Sequence, residues 1–284
     1  MSIMDGQNAS KLKQVLQNVP PGFLIDSAWM SRHGISRQSV SAYVKRGWLE
    51  RVIQGLYRRP FTPSENPEAV RGWKIPLLSA QWLMAYDFHV GGMTALALHG
   101  HEHYLALGGG QKVHLYGDNI PAWLFKISID GHFVRHSTKP FEDAQAGIES
   151  GSFDLSQQAD NDATMSPWLW PIRMSTPERA ILEALDGLPR SESFHNVDVV
   201  FESLVNLRPK QLTALLTACR SVKVKRLFFV YADKHAHAWR KHIDAEAIDL
   251  GRGDRALAEN GKLHPTYRIT VPSDLLPGEA ADGP

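Results

Sequence analysis

Between Leu24 and Pro60 the pattern of the chain admits little except two short helices and a hairpin. Val40 and Val44 fall four apart with Tyr43 beside them, the spacing of one helical face, and are placed to pack on Trp29 and Ile35. Gly34-Ile35-Ser36 is a tight turn, so a short helix precedes it and a second runs from Arg37 to about Arg46. Ser36 is a good N-cap, although Ser39 stands where a Glu or Gln would complete a capping box. Gly47 stops the second helix at a position suited to the left-handed region. Leu49 to Arg59 then reads as a two-strand ribbon turning at Gln54-Gly55, a weaker hairpin signal than Asn-Gly. Helix, turn, helix, hairpin is the order of a winged helix-turn-helix, a module that sets its second helix in the major groove of DNA.

Charge points the same way. The stripe Gln38, Ser39, Ala42, Lys45 and Arg46 is expected to face outward with no large apolar residue in it. Residues 1–60 hold nine basic and three acidic side chains, a net of +6, while the remainder holds 22 and 27, a net of −5. A whole-chain charge of +1 therefore hides a basic head on an acidic body. Basic charge gathered on one small module is the footprint of a polyanion binder.

At 284 residues, 43% hydrophobic and 21% charged, the chain suits a small module plus a larger domain with a sizeable core. A lone cysteine, Cys219, excludes an intramolecular disulfide and fits a reducing cytoplasm. No apolar run approaches the roughly 20 residues of a membrane span, and no signal peptide opens the chain. These features predict a soluble cytoplasmic protein with no membrane partner.

The expected division is a winged head over 1–60, a proline-containing linker over 61–75, an α+β domain over 76–274 and a disordered tail over 275–284. A first helix over 8–18 completes the head. Trp73 to Gly100 reads as helical with a break at Gly91-Gly92. Lys112–Tyr116 and Lys126–Ser137 read as strands, the second turning at Asp130-Gly131, and residues 151–167 as a polar loop. Ser175-Thr176-Pro177-Glu178 is a helix start, with a hydroxyl cap, Pro at N1 and acid in the first turn, and that helix runs to Gly187. Helices are expected at about 195–205, 209–219 and 232–242, a last strand at Tyr267–Val271, and either a buried strand or a helix start over Lys223–Ala232.

Catalytic and metal chemistry find little support. His99 and His103 have i, i+4 spacing, but Gly100 ends the helix that would align them. Gly108-Gly109-Gly110 lacks phosphate-loop spacing, and no Gly-x-Ser-x-Gly elbow occurs. No cofactor, metal site or catalytic residue is assigned, so the chain is read as a non-enzyme. A second basic cluster, Arg220, Lys223, Lys225 and Arg226 with His235, His237, Trp239, Arg240 and Lys241, is either an interaction surface or a solvated rim.

The winged head, Gly92-Met-Thr-Ala-Leu-Ala-Leu-His-Gly-His, Ser175-Thr-Pro-Glu-Arg-Ala-Ile-Leu-Glu, Ser221-Val-Lys-Val-Lys-Arg-Leu-Phe and Ile248-Asp-Leu-Gly-Arg-Gly through Tyr267-Arg-Ile-Thr-Val-Pro together resemble the AbiEi family. These are antitoxins of bacterial abortive-infection, type IV toxin–antitoxin systems. The resemblance implies a head that binds inverted repeats in double-stranded DNA of its own promoter and represses its operon. It further implies a body that counteracts a neighbouring nucleotidyltransferase-like toxin, functionally if not by stable contact. Carried onto this chain, DNA contact falls to Ser36, Arg37, Gln38, Ser41, Lys45, Arg46, Arg51, Arg58 and Arg59, and the antitoxin surface to Lys223, Lys225, Arg226, His237, Trp239 and Arg255. Asp254 stands where the resemblance implies a basic residue. Two rival readings stay open: a nuclease-like DNA-processing enzyme, which needs a carboxylate cluster with metal, and a ligand-sensing regulator with a winged head.

Overall fold

The computed structural model describes residues 18–61, 72–101, 111–149 and 170–276. Outside them lie nearly all of the helix expected over 8–18, most of the linker, His103, Gly108–Gly110, the polar stretch 151–167 and residues 277–284 of the tail. In chain order come β1 (Leu24–Asp26), α1 (Ser27–Arg32), α2 (Arg37–Lys45), β2 (Glu50–Ile53) and β3 (Leu56–Arg58). Next are α3 (Lys74–Leu78), which continues as a wider π-turn over Ser79–Leu83, then β4 (His89–Val90), α4 (Gly92–Leu98) and β5 (Lys112–Tyr116). They are followed by β6 (His132–His136), β7 (Ile148–Glu149), β8 (Met174–Ser175) and α5 (Pro177–Gly187). The chain closes with α6 (Phe194–Ser203), α7 (Pro209–Ala218), α8 (Val222–His235), β9 (Lys262–Leu263) and β10 (Thr270–Val271). This is the expected mixed fold, a small helix-turn-helix head ahead of a larger α+β part.

The described residues fall into two units, each drawn from three stretches of the chain. One falls within Met1–Phe88, Gly108–Arg135 and Ser150–Arg173, the other within His89–Leu107, His136–Glu149 and Met174–Pro284.

In the first unit β1 and β2 flank β3, all antiparallel, with Leu24 opposite Arg58 and Glu50 opposite Arg58 on the other side. β1 corrects the reading of Leu24 onward as helix: three residues become a strand because β3 returns to them, a partner thirty or more positions away. Phe23, Ile25, Trp29, Ile35, Val40, Tyr43 and Leu49 form a core that continues through Ile75, Leu78, Leu83, Met84 and Trp170. The expected boundary at 61–75 thus does not coincide with a gap in the packing. Two polar side chains bind the later segment to the head: buried Ser79 Oγ accepts from Leu24 N at 3.0 Å, and half-buried Tyr86 donates to Asp26 Oδ2 at 2.6 Å. Of the expected hairpin over Lys126–Ser137 only the second arm, β6, forms a strand; Ile129 makes just an isolated bridge to Gly131.

The second unit is built around α5, whose residues Glu178 to Leu185 are all buried against α4, α6, α7 and α8. Its start is as expected: Thr176 caps with Oγ1 accepting from Arg179 N, Pro177 is at N1 and Glu178 lies in the first turn. Lys223–Ala232 proves to be helix. α8 begins at Val222 and ends at His235, ten residues ahead of the helix expected over 232–242 at its start, and Val224 to Ala232 are buried without interruption. A helix covered on every side loses its amphipathic period, which is why a strand remained open. β7, β8 and β4 lie side by side, β7–β8 antiparallel and β8–β4 parallel.

One carboxylate holds the start of α4, β4, β8 and α5 together. Glu183 is 1% exposed and accepts from His89 Nε2 (2.9 Å), Gly92 N (3.0 Å), Ser175 Oγ (2.7 Å) and Arg179 Nε (2.9 Å). Arg179, fully buried, also donates to the Asp143 and Ala146 carbonyls and lies 3.4 Å from the Phe141 ring centroid. Gly147 lets the chain pass: its φ is +73°, and a Cβ there would meet Arg179 Cβ at 2.9 Å. Burial pushes the Glu183 carboxyl upward, but His89, Arg179 and Ser175 outweigh it and hold it down to about 2.

A carboxyl depressed in the folded state stabilises fully above its unfolded value, near 4.3, and loses that contribution as pH falls toward 2. The shift corresponds to about 3 kcal/mol. Urea midpoints by circular dichroism are therefore expected to drop between pH 4.5 and 2 more steeply in the wild type than in Glu183→Gln. At neutral pH Glu183→Ala, which strands Arg179, should cost about 3–5 kcal/mol. Parallel acid profiles for wild type and Glu183→Gln would show that the carboxylate does not hold this unit.

Candidate nucleic-acid interface

The head positions its second helix from both sides. Asp26 ends β1 and caps α1, its Oδ1 accepting from Trp29 N at 2.7 Å. α1 turns Trp29 and Met30 inward, and His33 stacks on Trp29 with ring centroids 3.8 Å apart. Ile35, buried, donates its backbone N–H to the Met30 carbonyl at 2.9 Å and so closes the turn. Ser36 then caps α2, its Oγ accepting from Ser39 N at 3.1 Å.

α2 has two faces. Ser39, Val40 and Tyr43 are buried, with Ala42 and Val44 half-buried beside them. Arg37, Gln38, Ser41 and Lys45 are exposed, and Arg46 follows at the C-cap, also exposed. From Arg37 to Lys45 the exposed row runs about 12 Å along the axis. The expected stripe needs one correction: Ser39 points inward, where its hydroxyl meets Ser36 Oγ at 2.9 Å and the Tyr43 side chain. A hydroxyl can enter the core there because both partners satisfy it. Burial raises the Tyr43 phenol above its usual range, against the opposing pull of Arg46 and Ser39.

The ribbon places its arginines unequally. Arg51 on β2 is exposed. Arg58 on β3 is half-buried, 4.0 Å from Glu50 Oε2 and 5.6 Å from the Phe61 ring centroid. Arg59 is a brace rather than a free contact: Nη1 donates to the Val19 carbonyl at 2.6 Å, and its backbone bonds to Phe23 and Gly22. The arrangement offers Arg, Lys, Gln and Ser side chains on the exposed face of a helix, donors of the kind that meet phosphates and base edges. The sequence reading passed over Trp48, which is 36% exposed directly after the helix stop. The signal for it was Gly47, since the residue after such a glycine is held at a fixed angle to the helix.

In the second unit the structure does not gather the expected antitoxin surface into one free face. Lys225, Arg226 and Trp239 are buried. Arg226 donates to the carbonyls of Leu250 (2.8 Å), Gly253 (2.7 Å) and Arg268 (2.8 Å), and Trp239 Nε1 to Leu204 O at 2.7 Å. Lys223 spans the end of α5, bonding to the Asp186 and Leu188 carbonyls and pairing with the Asp186 carboxylate at 3.5 Å. His237 is half-buried with Nε2 at 3.0 Å from Phe201 O. Arg255 is exposed. The expected surface is thus divided: Arg226 ties three loop carbonyls to α8, Trp239 turns inward, and Arg255 stays exposed. Asp254, at the position where a basic residue was implied, pairs with Arg268 at 2.6 Å.

The histidines behave as local braces. His99 Nε2 lies 2.9 Å from the Ser175 carbonyl, and His101 Nδ1 3.1 Å from Ser203 Oγ. Among the described residues no group of three or more His, Cys, Asp or Glu is placed to hold a metal ion. No helix among them is long and apolar enough to cross a membrane.

Comparison with known proteins accounts for the chain in two consecutive stretches. Residues 8–107 match the family model described as the N-terminal domain of the AbiEi antitoxin transcriptional regulator. Residues 110–272 match the model described as transcriptional regulator, AbiEi antitoxin, type IV TA system. No curated protein matches. Among solved structures, the crystal structure of the RV2827C protein from Mycobacterium tuberculosis is similar in fold, with a TM-score of 0.53 at 15% identity, over 93% of this chain and 90% of that one. The chain belongs to the AbiEi antitoxin family of transcriptional regulators of type IV toxin–antitoxin systems.

Proposed function

We propose that this antitoxin binds double-stranded DNA at inverted repeats in its own promoter, represses its toxin–antitoxin operon, and counteracts a nucleotidyltransferase-like toxin encoded beside it. The observation that carries the DNA reading is the outward row of α2, Arg37, Gln38, Ser41 and Lys45, standing exposed on a helix whose other face is core. Docked in a major groove, the first residues of such a helix reach base edges and the later ones the backbone. Gln38 has the amide needed for a bidentate contact to adenine, and Arg37 the fork that suits guanine. Arg46, Arg51 and Arg58 contact phosphates from the helix end and the ribbon, with Ser36 serving as cap. Arg59 is withdrawn from this set because its guanidinium is engaged by Val19. The protein acts as a non-enzymatic, cytoplasmic regulator, and its second unit supplies the antitoxin function.

Full-length protein is the proper material for testing, because the core of the head includes Ile75, Leu78 and Leu83. Four to five phosphate contacts predict a log K against log salt slope near −4. Gln38→Ala should reduce discrimination between the upstream duplex and a scrambled one by about 1–3 kcal/mol. Arg51→Ala with Arg58→Ala should instead weaken both duplexes alike and flatten the slope by up to about 2. Fluorescence anisotropy at several salt concentrations measures both; equal loss of specificity from the two changes would place the bases elsewhere.

Regulation and antitoxicity should separate. Arg37→Ala, Lys45→Ala protein expressed from a foreign promoter is expected to lose repression of an operon reporter while still rescuing cells that express the toxin. Loss of rescue by this variant, folded and at normal abundance, would mean that antitoxicity works through DNA.

A further inference from the structure

The end of α2 brings Arg46 and Trp48 together around a fixed chain stop. Gly47 N donates to Val44 O at 3.1 Å and Trp48 N to Tyr43 O at 2.9 Å, the paired bonds of a Schellman stop, with Gly47 at φ +71°. The stop fixes Trp48 against Tyr43, with ring centroids 5.9 Å apart and planes tilted by 45°. A hydrophobic contact at this place is a normal companion of the motif and accounts for one side of the indole. It leaves the other side unexplained, because Trp48 remains 36% exposed while every other tryptophan with a described side chain is less exposed. The guanidinium carbon of Arg46 lies 5.1 Å from that indole's ring centroid.

We propose that Trp48 is a positioning residue for DNA contact, holding the Arg46 guanidinium extended against its ring so that its free N–H groups meet a phosphate beyond the C-terminal end of α2. The inference rests on the reading that α2 docks on DNA and names a further element of that surface. A planar guanidinium can stack and still present its donors at its edge, which an ammonium cannot do. Holding the side chain in place before binding removes part of the ordering cost that a free arginine incurs on contact. Because the ligand is a phosphate, the contact strengthens binding to every duplex equally and reads no base. Arg46, one residue past α2, and Trp48, two further on, thereby form a sequence-independent clamp beside the base-facing row.

The test uses full-length protein, a fluorescent duplex from its own upstream region and a scrambled duplex of equal length. Trp48→Ala is expected to weaken both about two- to fivefold with their ratio unchanged, and Trp48→Phe to retain most of the affinity. Arg46→Ala should weaken both and flatten the salt slope by about 0.9. On the Arg46→Ala background, Trp48→Ala should cost nothing further, and Arg46→Lys should abolish most of the dependence on Trp48 while keeping the charge. Unchanged affinity in folded Trp48→Ala, full additivity with Arg46→Ala, or an altered ratio between duplexes would each overturn the proposal. Should Trp48→Ala fail the check by circular dichroism, Trp48→Phe and Arg46→Lys decide: strong loss with Phe, or undiminished binding with Lys, counts against it. Wild-type protein that binds neither duplex overturns the DNA reading as well, whereas wild-type binding indifferent to Trp48 overturns this inference alone.

Discussion

What the first unit can present to a partner depends on how the nine residues of α2 divide between two faces. Val40 and Tyr43 are committed to the core by burial worth roughly 1.5–3 kcal/mol for a large apolar side chain. At 3.6 residues per turn, committing those positions forces Arg37, Gln38, Ser41 and Lys45 outward. The sheet then fixes the helix itself: β3 pairs with β1 on one side and β2 on the other, so the ribbon that follows α2 is anchored to the strand that precedes α1. Asp26 joins these pieces, capping α1 and accepting from Tyr86. Exposure of the basic row is thus a consequence of core packing, not a separate feature.

The second unit uses its cations in the opposite sense. Arg179 is buried beside Glu183, and Arg226 is buried among three backbone carbonyls. Neither carries an exposed charge to a ligand; each satisfies acceptors that would otherwise be costly to bury. Glu178 works likewise, accepting from the Arg208 backbone N–H and from both Nε and Nη2 of its side chain, and so joins the start of α5 to the start of α7. The motifs Ser175-Thr-Pro-Glu-Arg and Lys-Val-Lys-Arg are therefore scaffolding in this fold. Of the cations expected on the antitoxin surface, Arg255 is the exposed one.

The parts of this structure that were legible in the sequence are those decided locally. The Gly34 turn, the Ser36 cap, the Gly47 stop and the Thr176-Pro177-Glu178 start each depend on residues within a few positions, and each forms as read. Several of the misreadings involve distant partners. β1 exists only because β3 comes back to it, Arg59 is engaged by Val19 forty positions away, and Arg226 by carbonyls up to 42 positions away. α8 gave no periodic signal because no face of its central nine residues meets solvent. Ser39 was misplaced for a subtler reason, since periodicity cannot tell that a small hydroxyl has partners in the core.

Amide hydrogen exchange of the full-length protein, with and without its upstream duplex, tests the central claim most directly. If the outward row of α2 is the DNA surface, adding the duplex should slow exchange across Arg37–Lys45 and across the ribbon Glu50–Arg58, while α5 and α8 of the second unit stay unchanged. Saturating duplex that leaves α2 and the ribbon unaffected, or that protects only segments of the second unit, would contradict it.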